Sequence, residues 1–443
     1  MFNIINNAIF NNKYTQKRFK NSILIYFLNL LRYKLFQAFI LMLSLVIIIY
    51  LWIYYPIQQG HQGDFILMLS NRKSIGYWDG YGVGYGPIFA IYDLAFRGVS
   101  DQIVMNIMFV LNLFILLIIF LILLHRFLPK PRSIEETLAA IFLWVSFYPT
   151  FQTLRQNNIE ITEFLFLALM LEALRLRRDV LAGIWLGIAS ATKILPLILV
   201  FYFLWRRRFK LAIISIFTTV FLFCIVVMFK GESVGIAFTK LWSYSVQPFP
   251  YQFQGNQSIS GLFSRAFSQY DLSNRLTIEI PVILNIEAAK TATIIISTII
   301  FLIVSITIFR RTRIFPLPVT DIRIESVEIA IVLTGMLILL PHNHTHYFIL
   351  IAWIYLAFIR EWPRPESTKG RCVVFLTSIS FLLLGLLTIW RLFDPFLVLI
   401  GPVTGIDLAR LASFPLFGAI SGLIALLIIH GNLISSNEDG FNE

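Results

Sequence analysis

Charge is scarce in this chain. Only 14% of its 443 residues are Asp, Glu, Lys or Arg, whereas 58% are hydrophobic. So few charges cannot clothe a soluble globule of this length, and no stretch reads as a soluble domain. Cysteine is scarcer still. Cys224 and Cys372 both lie in apolar runs, which argues against a disulfide framework. Internal repeats are absent. Met1–Lys20 is polar and basic without a small-residue cleavage site, so it is expected to be a cytoplasmic lead-in and not a signal peptide. The glycines of Tyr77–Pro87 have no strand before them and no Lys-Ser/Thr after, which leaves a nucleotide-binding phosphate loop unsupported.

Long apolar runs are what the chain has in quantity. They recur from end to end, each long enough to cross about 30 Å of hydrocarbon as a helix. The expected fold is an all-α polytopic membrane protein. Spans are predicted at 36–55, 102–124, 134–150, 158–174, 211–229, 291–309, 326–341, 346–359, 372–390 and 410–430, about ten in all. The net charge of +12 therefore points to cytoplasmic loops and anionic headgroups, and not to nucleic acid.

One further segment, Leu181–Leu204, is apolar and long enough to span, yet Arg175–Arg178 precede it and Arg206–Lys210 follow it. If it crosses, the basic loops divide between the two sides. If it turns back around Lys193 and Pro196, the short Arg-rich loops all share one side. The positive-inside rule favours this re-entrant hairpin. Pro196 lacks a backbone donor and is expected to supply the break. Both termini are then cytoplasmic. The expected organisation is a basic N-terminal segment 1–35, one transmembrane domain 36–432 with outer loops 56–101, 230–290 and 391–409, and a polar tail 433–443.

Polar groups collect on the predicted outer face. Asp64 follows the first span in Gln59–Phe65, where it is either a solvated loop carboxylate or a catalytic base. Tyr85 lies in the Tyr/Trp/Gly run Tyr77–Pro87, which suits an aromatic belt or a sugar-stacking loop. Arg155-Gln156-Asn157-Asn158 opens an apolar run and serves either as a helix cap or as a set of sugar contacts. The loop Pro250–Arg265 contains Asn256 and Gln257, whose amides can bond sugar hydroxyls, and Arg265, which can grip a phosphate. Lys193 is a base inside an apolar hairpin; it either snorkels to the surface or faces an anion. Pro341–Leu350 holds three of the six histidines, His342, His344 and His346, where packing gives no reason for imidazoles. On a helix His342 and His346 share a face and His344 does not. Capping, proton transfer and phosphate binding all remain open there. Zinc would want a further ligand, and no Cys is nearby, so no metal or other cofactor is indicated.

These motifs, in this order, resemble those of the membrane-embedded GT-C glycosyltransferases, and closest among them glycosyltransferase family 87. Asp64 stands where that family has an aspartate after its first span. Tyr85-Gly86-Pro87 resembles its aromatic-x-Pro turn. Gln156-Asn157-Asn158 resembles a Gly-Gln-x-Asn helix start, with Arg155 in place of Gly. Ala182 through Lys193 resembles its Gly-rich helix ending in Lys. Asn256-Gln257-Ser258 through Arg265 and Pro341 through Tyr347 resemble the remaining motifs, although His344 stands where an aromatic is common. The resemblance implies inverting transfer of a sugar, mannose first, from a polyprenyl-phosphate donor to a lipid-linked or envelope glycan on the extracytoplasmic face of the plasma membrane. It implies Asp64 as base, His346, Lys193 and Arg265 as phosphate partners, and Tyr85, Gln156, Asn157, Asn256, Gln257 and His342 around sugar or acceptor. Two other classes stand beside it. A secondary transporter would show paired broken helices in repeated halves. A polysaccharide ligase or polymerase would share the donor.

Overall fold

The computed structural model describes residues 34–35, 37–54, 95–96, 98–128, 133–229, 233–236, 239, 255–267, 285–314, 322–360, 368–397 and 404–439. Asp64 and Tyr85 lie outside them. The described residues are helical, with no strand among them; a lone antiparallel bridge joins Asn256 to His344.

Among the described residues, four helices are long and apolar enough to cross a membrane: Asp101–Phe127, Ile286–Ile308, Thr368–Gly385 and Phe414–Ile434. The pair Ile134–Ser146 and Tyr148–Arg155, bent by 47°, is long and apolar enough only when taken together, as a broken span or a re-entrant loop. About ten were expected. Other apolar helices among the described residues, such as Gln37–Tyr50 and Phe209–Ile225, fall just short of that length, and breaks and charges interrupt others. The predicted span 134–150 breaks at Phe147, and Pro149 sits in the first turn of the next helix, where a missing N–H costs nothing. Helix Ile322–Leu339 carries Arg323, Glu325 and Glu328 in its first half. Asp101–Phe127 shows the lipid-facing pattern plainly. Ile107, Val110, Phe114, Leu117 and Leu121 are exposed on one face, and Met108, Ile115, Ile119 and Leu123 are buried on the other. An apolar stripe left uncovered by protein suits hydrocarbon.

The segment after Arg178 goes out and comes back. Helix Asp179–Thr192 ends at Lys193, whose backbone is extended (φ −152°, ψ 134°). The return runs through Leu195–Trp205. Pro196 does not break a helix; it sits in the first turn of the returning one. The two ends of the segment meet: Arg208 Nη1 lies 3.2 Å from Asp179 Oδ1. The basic flanks therefore share one end of the bundle, and Lys193 marks the far tip.

Small residues let the hairpin pack. A Cβ added to Gly183 would lie 2.8 Å from the Leu211 carbonyl oxygen, and one on Gly187 would lie 2.5 Å from Thr218 Cβ. Helix Asp179–Thr192 thus lies against Phe209–Phe229 by close backbone approach, as small-residue stripes allow in membranes. The Gly-rich run of the family resemblance has this packing role.

Helix Ile322–Leu339 measures about 27 Å at 1.5 Å per residue and separates two polar clusters. At its first turns, Glu328 receives Arg206, a hydrogen bond from Tyr202 Oη (2.8 Å) and His430 Nε2 at 2.9 Å. Arg208 Nη2 reaches Glu325 Oε1 at 3.1 Å, and Arg126 donates to Ser326 Oγ at 2.8 Å. This knot ties the returning hairpin arm to helices Ile322–Leu339 and Phe414–Asp439 at the Arg-rich end. The histidine run begins just past the other end.

Candidate functional site

Three segments meet beside the hairpin tip. The first is the junction between helices Tyr148–Arg155 and Glu160–Arg175. Asn157 has φ +51°, and Asn158 N–H donates to the Thr153 carbonyl while Asn157 N–H donates to that of Leu154. That pattern closes a helix through a left-handed residue, a place Asn tolerates. The polar run therefore ends one helix before opening the next. Asn157 is fully buried. Its Nδ2 donates to the Met105 carbonyl at 2.9 Å, and its Oδ1 accepts from Asn112 at 3.2 Å. Half-buried Gln156 accepts from Asn158 Nδ2 at 3.2 Å.

The next helix starts with two carboxylates, Glu160 and Glu163, both buried. Lys193 Nζ lies 2.6 Å from Glu160 Oε1, and His346 Nε2 lies 3.5 Å from the same oxygen. The His346 contact is at ion-pair distance and lacks hydrogen-bond geometry. Lys193 Nζ also sits 3.5 Å from the centre of the Tyr347 ring, within cation–π range. Glu160 Oε2, both Glu163 carboxylate oxygens and His346 Nδ1 are buried with no hydrogen-bond partner among the described residues. Unmet buried groups are uncommon in folded proteins. Here they gather at one helix start.

The histidine run is a loop followed by a 3₁₀ turn, Thr345–Ile351, and not one α-helix. The helical-face argument for His342 with His346 therefore fails locally. Instead His344 stacks on His346 with ring centres 5.1 Å apart, and His342 Nε2 faces His344 Nε2 at 2.8 Å. Burial, with His346 and Lys193 nearby, pushes both of these imidazoles down, His342 to about 4. Near neutral pH one ring then donates and the other accepts.

The Asn256 loop is stapled to this run. Asn256 Nδ2 donates to the Pro341 carbonyl (3.1 Å), and its Oδ1 accepts from Asn343 N–H (3.0 Å). Gln257 N–H donates to the Asn343 carbonyl at 2.5 Å, and Gln257 Nε2 to that of Arg410 at 2.9 Å. Gly261 fits because a Cβ there would stand 2.5 Å from the Asn256 carbonyl oxygen. Arg265 Nη1 donates to that carbonyl at 2.6 Å, and Nη2 to Ser413 Oγ. Lys193 and His346 are thus brought together, His342 adjoins them through His344, and Arg265 ties the Asn256 loop to Ser413. The amides of Asn157, Asn256 and Gln257 hold main chain in place.

Glu160 and Glu163 escape the sequence reading because they fall inside a predicted span and beside an apparent cap. The signal was present: two carboxylates in one turn of an apolar run are costly without a task. Among the described residues, no group of three or more His, Cys, Asp or Glu side chains is arranged to hold a metal ion.

Apolar helices of membrane length, with a buried ionisable cluster beside the hairpin tip and another at the Arg-rich end, are those of a membrane protein. A family model described as Glycosyltransferase family 87 matches residues 84–341, well over half of the chain, and the chain belongs to that family. Membership implies glycosyl transfer and removes the transporter reading. No curated protein and no solved structure matches the chain. Tyr85, Gln156, Asn157, Lys193, Asn256, Gln257 and Arg265 lie within the matched stretch; Asp64 precedes it, and His342 and His346 follow it.

Proposed function

We propose that the protein is an inverting glycosyltransferase that moves a hexose, mannose first, from a polyprenyl-phosphate sugar to a lipid-linked or envelope glycan acceptor. One observation carries the reading. Lys193 and His346, remote in sequence, converge on a single oxygen of Glu160 at the tip of the hairpin. An ammonium and an imidazole that close can serve one phosphate. The tip lies opposite the Arg-rich end, which the positive-inside rule assigns to the cytoplasm, so the site faces outward in the plasma membrane. A lipid-borne phosphate stays at that depth because its tail remains in hydrocarbon.

The chemistry needs one base and several cations. The acceptor hydroxyl oxygen attacks the anomeric carbon, and its proton passes to Asp64. The bond from that carbon to the phosphate oxygen breaks, and the electron pair leaves with the phosphate. Negative charge grows on that oxygen during departure, so fixed cations stabilise the transition state more than the ground state. Lys193, His346 and Arg265 fill this role. Phosphate leaves readily, so a second carboxylate acid of the hydrolytic kind is not needed.

Purified protein assayed with polyprenyl-phosphate hexoses and with nucleotide sugars tests the proposal. Transfer is expected from the lipid donors. Transfer from a nucleotide sugar, with none from any lipid donor, overturns it.

A further inference from the structure

Glu160 stands at the centre of the cluster, and neither the base role nor the phosphate role uses it. We infer that Glu160 is a positioning residue that presets Lys193 and His346 for the donor phosphate; the inference rests on the phosphate reading above.

The geometry is specific. One carboxylate oxygen, Oε1, takes Lys193 at 2.6 Å and faces His346 at 3.5 Å. Glu160 is 1% exposed, so solvent does not weaken the interaction as it would at a surface. Its placement is rigid, because it begins a helix locked behind the Asn157 closure and the Asn157–Met105 bond. Lys193 is the opposite case. It ends a helix in extended backbone at a hairpin tip, and its flexible stem would otherwise let the ammonium swing. His346 is buried in a loop-borne 3₁₀ turn, and its main-chain carbonyl accepts from Thr153 Oγ1 at 3.2 Å. Three chain segments thus depend on one anion for their mutual placement. An anion there also offsets the cost of holding the Lys193 ammonium at a buried site before the donor arrives. Pre-set cations need no rearrangement as charge develops on the leaving oxygen.

The test is a mutant cycle on the full-length protein with a synthetic polyprenyl-phosphate mannose as donor. Glu160→Gln keeps the shape and removes the charge. It should impair donor use, read as kcat/KM, by roughly 10–100-fold, the scale of a small misplacement of reacting groups. Glu160→Asp retains the charge and should recover part of the loss. The decisive arm is coupling: in a Lys193→Ala, His346→Ala background, Glu160→Gln should add little further loss. A merely structural glutamate would cost activity additively in both backgrounds, which overturns the inference. If Lys193→Ala and His346→Ala impair donor use but Glu160→Gln does not, the inference alone falls. If neither alanine variant affects donor use, the phosphate reading falls and takes the inference with it. Should Glu160→Gln fail to fold, the coupling is read from Glu160→Asp, which is expected to lose less activity in the alanine background than in the native one; equal losses overturn the inference.

Discussion

Lys193 and Glu160, 33 residues apart in sequence, form a buried ion pair 2.6 Å long at the tip of a helical hairpin. This pair joins the two parts of the account. It fixes where the hairpin tip lies, and it puts a cation beside His346.

The base assignment rests on Asp64, the first carboxylate after the opening apolar run. Asp64→Asn retains shape and removes basicity. Turnover should fall by about 10²–10⁴-fold with the protein still folded. Near-normal transfer by a clean Asp64→Asn preparation would shift the role to Asp79.

The hairpin makes a topological prediction. With Cys224 and Cys372 replaced, single cysteines at Asp179 and Arg207 should label from the same side of the membrane. The Arg208–Asp179 contact requires this. Labelling from opposite faces would refute the hairpin and the outward site together.

Glu328 anchors the opposite end. Glu328→Ala leaves Arg206 buried without its carboxylate and frees Tyr202 and His430 from a shared acceptor. Breaking a buried pair on one side should cost about 3–5 kcal/mol. Chemical or thermal unfolding in detergent measures it. An unchanged unfolding midpoint would show that the knot adds nothing.

Gly187 tests the close approach of helices Asp179–Thr192 and Phe209–Phe229. Gly187→Val forces side-chain atoms against Thr218 and the Ser215 carbonyl. Overpacking of this kind costs about 1–3 kcal/mol and should lower the melting temperature. Val at the exposed helical position Phe217 should not.

Part of the polar cluster was legible in the sequence because ionisable residues stand out in an apolar chain. Lys193 and the histidine run declare themselves that way, and the basic flanks of the hairpin predict that its ends return to one side. The breaks were harder to read. Asn157 reads as part of a helix start, and only its positive φ shows that it closes the preceding helix. Pro196 reads as a breaker because the sequence does not show which residue carries the turn; extended Lys193 does. The face shared by His342 and His346 assumed α-helix, which the loop and 3₁₀ turn do not follow. Glu160 was hidden because its partners are distant in the chain, and charge pairing across 33 and more residues leaves no local pattern.

The most direct test of the central claim is the donor KM for polyprenyl-phosphate mannose in His346→Ala beside His344→Ala. His346 shares the Glu160 oxygen with Lys193, whereas His344 Nε2 faces His342. The account predicts a donor KM raised about tenfold or more in His346→Ala, the worth of one lost charge-assisted contact, with a smaller rise in His344→Ala. An unchanged donor KM in folded His346→Ala protein would contradict it.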